Sequence, residues 1–218
     1  MKIDLFRGKY NFLSNFYEAP VEVYGLKYLN SEAAFQAQKT LNFAMKQKFT
    51  TMSPTEAKKM GKMVILRDDW EDVKVQIMED VVRAKFSQNP ELAQKLIETG
   101  DVYLEEGNTW GDRTWGTVNG SGSNLLGQIL MKIRDELQNE IANNRDDILN
   151  SIAEDICFDF ERDFEATDTE GWNLEGKVEY KGQEYFVELF GYNEDSYELQ
   201  AAKQIYEQIT KEAELDYC

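Results

Sequence analysis

Apolar positions along the chain follow two periods, and the switches between them mark out the elements. Val21, Val23 and Tyr24, then Leu26, Tyr28 and Leu29, flank Gly25 in the pattern of a short β-hairpin. Asn30 or Ser31 can cap a following helix, because Glu32-Ala-Ala-Phe-Gln-Ala-Gln-Lys39 consists of good helix formers. Ser53-Pro54-Thr55-Glu56 has the form of a capping box with proline at the first helical position, which predicts a helix running towards Arg67. Asp68 or Asp69 then caps a helix in which Trp70, Val73, Ile77, Val81, Ala84 and Phe86 recur near the helical period. Asn89-Pro90-Glu91 opens one more helix, with Gly100 as its stop.

Between Gly107 and Gly127 the periodicity breaks, and six of the chain's 14 glycines fall there. Leu125, Leu126, Ile129, Leu130, Ile133 and Leu137 then predict a helix that returns to the core. Beyond Glu140, Ile141, Ile148, Leu149, Ile152, Ile156, Phe160 and Phe164 suggest a further helix with an apolar stripe, and Ala166 to Gly171 reads as a loop. Val178, Tyr180, Tyr185, Val187 and Leu189 alternate about Lys181-Gly182 as a hairpin, and an amphipathic helix follows from about Ser196 through Leu199, Ile205, Tyr206 and Ile209. The fold class expected is mainly α, within α+β. Residues 1–140 would form a compact multihelical domain with short hairpin elements, and residues 141–218 a small acidic α+β domain.

Composition narrows the chemistry. The chain has 218 residues, a net charge of −17 and no histidine, so a Ser-His-Asp or Cys-His site and a His-ligated metal are excluded. Its 2 cysteines, Cys157 and Cys218, are too few for a four-thiolate zinc site. A reducing, cytoplasmic setting fits, and no stretch approaches the ~20 apolar residues of a membrane span. Charge is uneven: residues 1–140 carry 18 basic and 20 acidic side chains, residues 141–218 carry 6 and 21. A polynucleotide would therefore have to meet a local basic pocket in the first part.

Three segments could carry function. Phe6 to Tyr17 mixes aromatics with Arg7, Asn11, Ser14 and Asn15. On the predicted helix, Glu32 and Lys39 are seven residues apart, which puts them two turns apart on one face, ~10 Å along the axis, with Phe35 and Gln36 between. They either flank a ligand, or serve as a first-turn acid favoured by the helix dipole and a solvated cation. The glycine-rich stretch places Trp110, Asp112, Trp115 and Asn124 where backbone can approach a ligand, or where a plain loop turns. It lacks the Gly-Lys-Ser/Thr ending of a P-loop and the third glycine of a dinucleotide fingerprint.

Taken together, Phe6-Arg7-Gly8, Phe12-Leu-Ser-Asn-Phe-Tyr17, Tyr28, Glu32 to Lys39, Arg67-Asp-Asp-Trp70, Lys85-Phe86, Asn89-Pro90-Glu91-Leu92, Asp112-Arg-Thr-Trp115-Gly116 and Gly122-Ser-Asn124-Leu-Leu-Gly127 resemble the NADAR (YbiA-like) family in order and spacing. The resemblance covers roughly residues 3–138. Many relatives carry histidine after the helix glutamate, where this chain has Ala33.

The resemblance implies an N-glycosidase that uses no metal or other cofactor and acts on ribose C1 joined to an exocyclic amine. Its substrate would be an ADP-ribosyl adduct of guanine, free or carried on DNA or RNA, or a phosphoribosylamine intermediate of riboflavin synthesis. Lys39 would form a Schiff base with the sugar, Glu32 would carry protons, and Asp112 would assist, though Asp112 could equally cap its own turn. Arg7, Gly8, Asn15, Trp70, Trp115, Gly116 and Asn124 would contact substrate, with core packing as the other role open to the tryptophans. No membrane is expected as a partner. The acidic C-terminal domain could recruit a basic protein or simply present a solvated face. The rival reading is a non-catalytic ADP-ribose or NAD module.

Overall fold

The structure, a computed structural model, describes residues 2–156, 164–167, 173–191 and 193–215. It divides into two units, Met1–Gln138 and Asn139–Cys218. The architecture is helical with short sheets, in keeping with the α+β class.

The first unit begins with β1 (Lys2–Ile3) and a 3-10 turn over Gly8–Leu13. Next, β2 (Val21–Val23) pairs antiparallel with β3 (Leu26–Tyr28), turning at Tyr24 and Gly25 with φ of 53° and 75°. Two successive positive φ values make this the tight hairpin turn whose twist matches the strands. Then α1 (Ser31–Ala37) is capped by Asn30, whose side chain accepts from the Ala33 N–H at 2.8 Å. All seven of its residues are buried, which accounts for its alanines. This helix stops two residues short of Lys39. The Lys39 N–H bonds to the Gln36 carbonyl in a tightened last turn, so Lys39 lies beyond the helix and not on its face.

Asn42 caps α2 (Phe43–Lys48), and a 3-10 turn over Phe49–Thr51 leads to α3 (Pro54–Met60), which has the expected capping box at Ser53 and Glu56. That helix ends at Gly61 rather than continuing towards Arg67. A Cβ at Gly61 would lie 1.9 Å from the Gln36 Oε1 atom, so glycine lets α3 close on α1. In α4 (Trp70–Ser87), Asp69 occupies the cap position without capping, because its carboxylate holds Arg67 at 2.5 and 2.7 Å. Asn89 likewise precedes α5 (Pro90–Ile97) but spends its amide on the carbonyls of Pro20 and Lys85.

One feature that positions the cavity was invisible in the hydrophobic pattern: β4 (Tyr103–Leu104) pairs parallel with β1. Two-residue strands are too short to show a period. The pairing continues as Glu105 N–H to the Ile3 carbonyl at 2.8 Å and Gly107 N–H to the Asp4 carbonyl at 3.1 Å, which draws the N-terminal segment against residues 104–107. A Cβ at Gly107 would sit 2.3 Å from the Asp4 carbonyl oxygen, so the approach requires glycine.

The two helices expected on either side of Glu140 are a single α6 (Leu125–Asp155). Its Leu126, Ile129, Leu130 and Ile133 join the first core, and Leu149 and Ile152 the second. Ile141 is 56% exposed and Ile148 38%, so the expected stripe is interrupted. In the second unit β5 (Phe164–Ala166), β6 (Asn173–Tyr180) and β7 (Gln183–Phe190) form one antiparallel sheet, with the β6–β7 turn at Lys181-Gly182. Phe164 is therefore in a strand, not a helix; Phe160 and most of the loop at 166–171 lie outside the described residues.

The last helix, α7 (Tyr197–Leu215), covers the β7 edge. Gln200 exchanges two hydrogen bonds with the Phe190 backbone and Gln204 two with Glu188, while Gln208 donates to the Phe186 carbonyl. Four helical residues rise ~6 Å and two strand residues ~6.6 Å, so glutamines four apart keep step with alternate strand positions. The result blunts an edge that would otherwise pair with another chain.

Candidate active site

A cavity of about 590 Å³ opens in the first unit. Arg7 and Asn15 reach it from the N-terminal segment, Glu32, Phe35 and Gln36 from α1, Lys39 from just beyond it, and Trp70 from the start of α4. Asp112, Trp110 and Trp115 enter from the glycine-rich stretch. Phe35 packs against both Trp70 and Trp115 with ring centroids 5.3 Å apart, the latter edge-on, which makes an aromatic floor.

Glu32 is 7% exposed, and its Oε1 accepts from the Gln36 amide at 2.9 Å. Burial pushes its carboxyl above the usual range, and Asp112 adds to this; the Gln36 bond, Lys58 and Lys39 oppose it. Lys39 is half-buried, and its ammonium nitrogen lies 5.7 Å from the Trp70 ring centroid. Burial lowers its pKa; Glu32 resists the shift, and the charges of Lys58 and Lys62 reinforce it. Among the described residues Lys39 makes no side-chain hydrogen bond or ion pair. An amine held that way has a larger neutral fraction than a solvated lysine.

Asp112 lines the cavity and also caps its turn: one carboxylate oxygen accepts from the Thr114 and Trp115 N–H groups at 3.0 and 2.9 Å. Asn15 is buried, with its amide nitrogen against the Met78 sulfur and its side-chain oxygen left without a donor. Arg7, Asn15, Trp70 and Trp115 thus line the cavity, with both tryptophans packed on Phe35 as well.

Three expected contact residues do not line this cavity. Gly8, at φ 57°, starts the 3-10 turn and borders a smaller adjacent hollow. Gly116 lies behind the cavity wall, where a Cβ would meet the Glu106 carbonyl oxygen at 2.1 Å. Asn124 is buried at φ 48° and braces backbone: its oxygen accepts from the Glu106 N–H at 3.0 Å and its nitrogen donates to the Leu104 carbonyl at 2.8 Å.

Sequence reasoning passed over Glu106, which lines the cavity. Burial pushes its carboxyl up to about 7, helped by Asp112 and Glu32 and opposed by Lys58. The available signal was the doubled acid, Glu105-Glu106, directly after Tyr103-Leu104. Successive residues of an extended chain face opposite ways, so when Glu105 turns to Lys2 and Thr117, Glu106 turns to the cavity. Lys58 was also missed; it lies 5.2 Å from the Phe16 centroid and 5.8 Å from that of Trp110. No group of three or more Cys, Asp or Glu side chains suited to a metal ion occurs among the described residues.

Fold and cavity together define an α+β domain with a lysine–carboxyl pocket floored by aromatic rings. The chain belongs to the NADAR family, whose NADAR domain matches residues 5–138. It is 40% identical over 132 residues to N-glycosidase YbiA of Shigella flexneri serotype 5b, spanning 59% of this chain and 82% of that one. It is 38% identical over 133 residues to riboflavin biosynthesis protein VVA0006 of Vibrio vulnificus, spanning 59% of this chain but only 36% of that protein. The solution structure of Escherichia coli YbiA superposes with a TM-score of 0.58 at 36% identity, covering 65% of this chain and 86% of that one. Residues 139–218 lie outside the family match. No helix among the described residues is long and apolar enough to cross a membrane.

Proposed function

We propose that the chain is an N-glycosidase that cleaves the bond between ribose C1 and an exocyclic amine, with an ADP-ribosyl adduct of guanine or a phosphoribosylamine as substrate. The observation that carries this reading is the Lys39 amine, which makes no hydrogen bond or ion pair among the described residues and whose proton affinity burial lowers, in one cavity with the buried Glu32. The similarity to proteins named N-glycosidase YbiA supports it.

A glycosylamine opens to an imine when its N–H proton passes to the ring oxygen. The neutral Lys39 amine adds to C1, the base nitrogen leaves as the free amine, and water hydrolyses the Lys39 imine that remains. Glu32 shuttles protons between the lysine nitrogen and its partners, a task suited to a carboxyl whose hold on its proton is strengthened by burial. The cavity carries Arg7, Lys58, Lys62 and Lys74, positive charge that suits the substrate's phosphates. Asn15 presents an acceptor for a ribose hydroxyl, and Trp70 and Trp115 present faces to the base.

The test is release of base from ADP-ribosylated guanine as nucleotide, DNA and RNA, and from a phosphoribosylamine. Lys39→Ala should abolish release, and borohydride should trap the sugar on Lys39. Tight binding of ADP-ribose or NAD with no base released from any substrate would make the protein a binding module instead.

A further inference from the structure

Glu105 and Glu106 follow β4 and meet opposite fates. Glu105 is consumed inside the fold, accepting from Lys2 at 2.9 Å and from the Thr117 hydroxyl at 2.5 Å. Glu106 has its backbone fixed at three points. Its N–H donates to Asn124, its carbonyl accepts from the Thr117 N–H at 2.9 Å, and Gly116 leaves room for that carbonyl. Yet the Glu106 carboxyl makes no hydrogen bond or ion pair among the described residues, although it lines the cavity. Its side chain is half-buried on the cavity wall, which leaves the carboxyl available to a group bound there. Asn124 and Gly116, matched by the family resemblance yet absent from the cavity wall, thereby acquire a purpose: they hold Glu106.

We propose that Glu106 is the acid that protonates the departing amine, while Glu32, tied to Gln36 beside Lys39, serves the lysine nitrogen. The proposal rests on the N-glycosidase reading. After Lys39 adds to C1 and Glu32 relays the lysine proton to the base nitrogen, Glu106 gives its proton to that nitrogen. The C1–N bond breaks with its electron pair on the base, leaving the Lys39 imine and a Glu106 carboxylate. Water then adds to C1 and its proton returns to Glu106. Glu32 relays the hydroxyl proton to the lysine nitrogen, the sugar departs with a C1 carbonyl, and both carboxyls regain their starting states. The charged groups facing Glu106 are Asp112 and Glu32, which favour its protonated form, and Lys58, which opposes it.

The experiment compares the wild-type chain, Lys39→Ala, Glu106→Gln and Glu106→Asp on two adducts. One carries guanine, whose amine must be protonated to leave; the other is an N-ribosyl nitroaniline, which needs little help. Glu106→Gln should lower kcat on the guanine adduct about a hundredfold or more, with KM within about threefold, and much less on the nitroaniline adduct. Glu106→Asp should recover part of the rate. The fall in wild-type kcat/KM as pH rises through about 7 should disappear in Glu106→Gln. A urea midpoint equal to wild type shows that the variant folds. Wild-type activity unchanged in Glu106→Gln, or an equal loss on both adducts with raised KM, overturns this role alone. A wild-type chain that releases no base from any adduct overturns the N-glycosidase reading with it.

Discussion

Replacing Lys85 by methionine tests how the fold holds its most deeply buried charge. Lys85 is 0% exposed, and its ammonium donates to the carbonyls of Phe12 and Ser14, the latter at 2.9 Å. The rings of Tyr17 and Phe86 lie 5.5 and 5.2 Å away. These bonds anchor the segment that delivers Asn15 to the cavity. Burial lowers the Lys85 pKa from 10.5 to about 7, so between those values the unfolded chain holds a proton that the folded chain does not. Stability must therefore rise with pH across that window, by up to ~1.4 kcal/mol per unit. From pH 7, where the group is about half protonated, to pH 9, the gain is about 2 kcal/mol, and Lys85→Met loses it. The Met side chain, of similar volume, leaves the Phe12 carbonyl short of a donor, at roughly 1–3 kcal/mol independent of pH; the Ser14 carbonyl keeps the Tyr17 N–H at 3.1 Å. Urea unfolding at pH 7 and pH 9, followed by tryptophan fluorescence, should show wild type gaining about 2 kcal/mol on the variant at the higher pH. Equal differences at both values would mean that Lys85 stays charged in the fold, its carbonyl bonds and ring contacts outweighing desolvation.

Two further changes probe the cavity. Gly116→Ala forces a Cβ to within 2.1 Å of the Glu106 carbonyl oxygen, which backbone cannot tolerate. It should lower stability by about 1–3 kcal/mol and depress base release more than it weakens binding, checked by thermal unfolding and steady-state kinetics. Lys58→Ala removes a positive neighbour that lowers the Lys39 pKa. The neutral amine then forms at higher pH, so the rising acidic limb of kcat/KM should move upward and activity at pH 7 fall about threefold; an unmoved limb would show that Lys58 does not act on Lys39.

What could be read in advance divides along a physical line. Asn30, Ser53 with Pro54, and the hairpin turns at Gly25 and Lys181-Gly182 act on atoms a few residues away, so the chain itself dictates them. The expected cap at Asp69 failed, and Asn89 does not cap the helix it opens, because Arg67, Pro20 and Lys85 offered better partners from outside the helix. Glu32, Lys39 and Asp112 stood out as candidates through family resemblance, and their meeting in one cavity is a tertiary fact.

The family, the order of helices and the chemistry left open by a chain without histidine were all determined by the residues in line. Where charge would be buried was decided only when the fold closed. Pairing of β1 with β4 buried Glu105 and set its neighbour Glu106 on the cavity wall, Gly116 and Asn124 fixed the Glu106 backbone, and the fold buried Glu32 and half-buried Lys39. Proton affinity depends on solvent and neighbours in space, and neither is written in the spacing of residues along a chain.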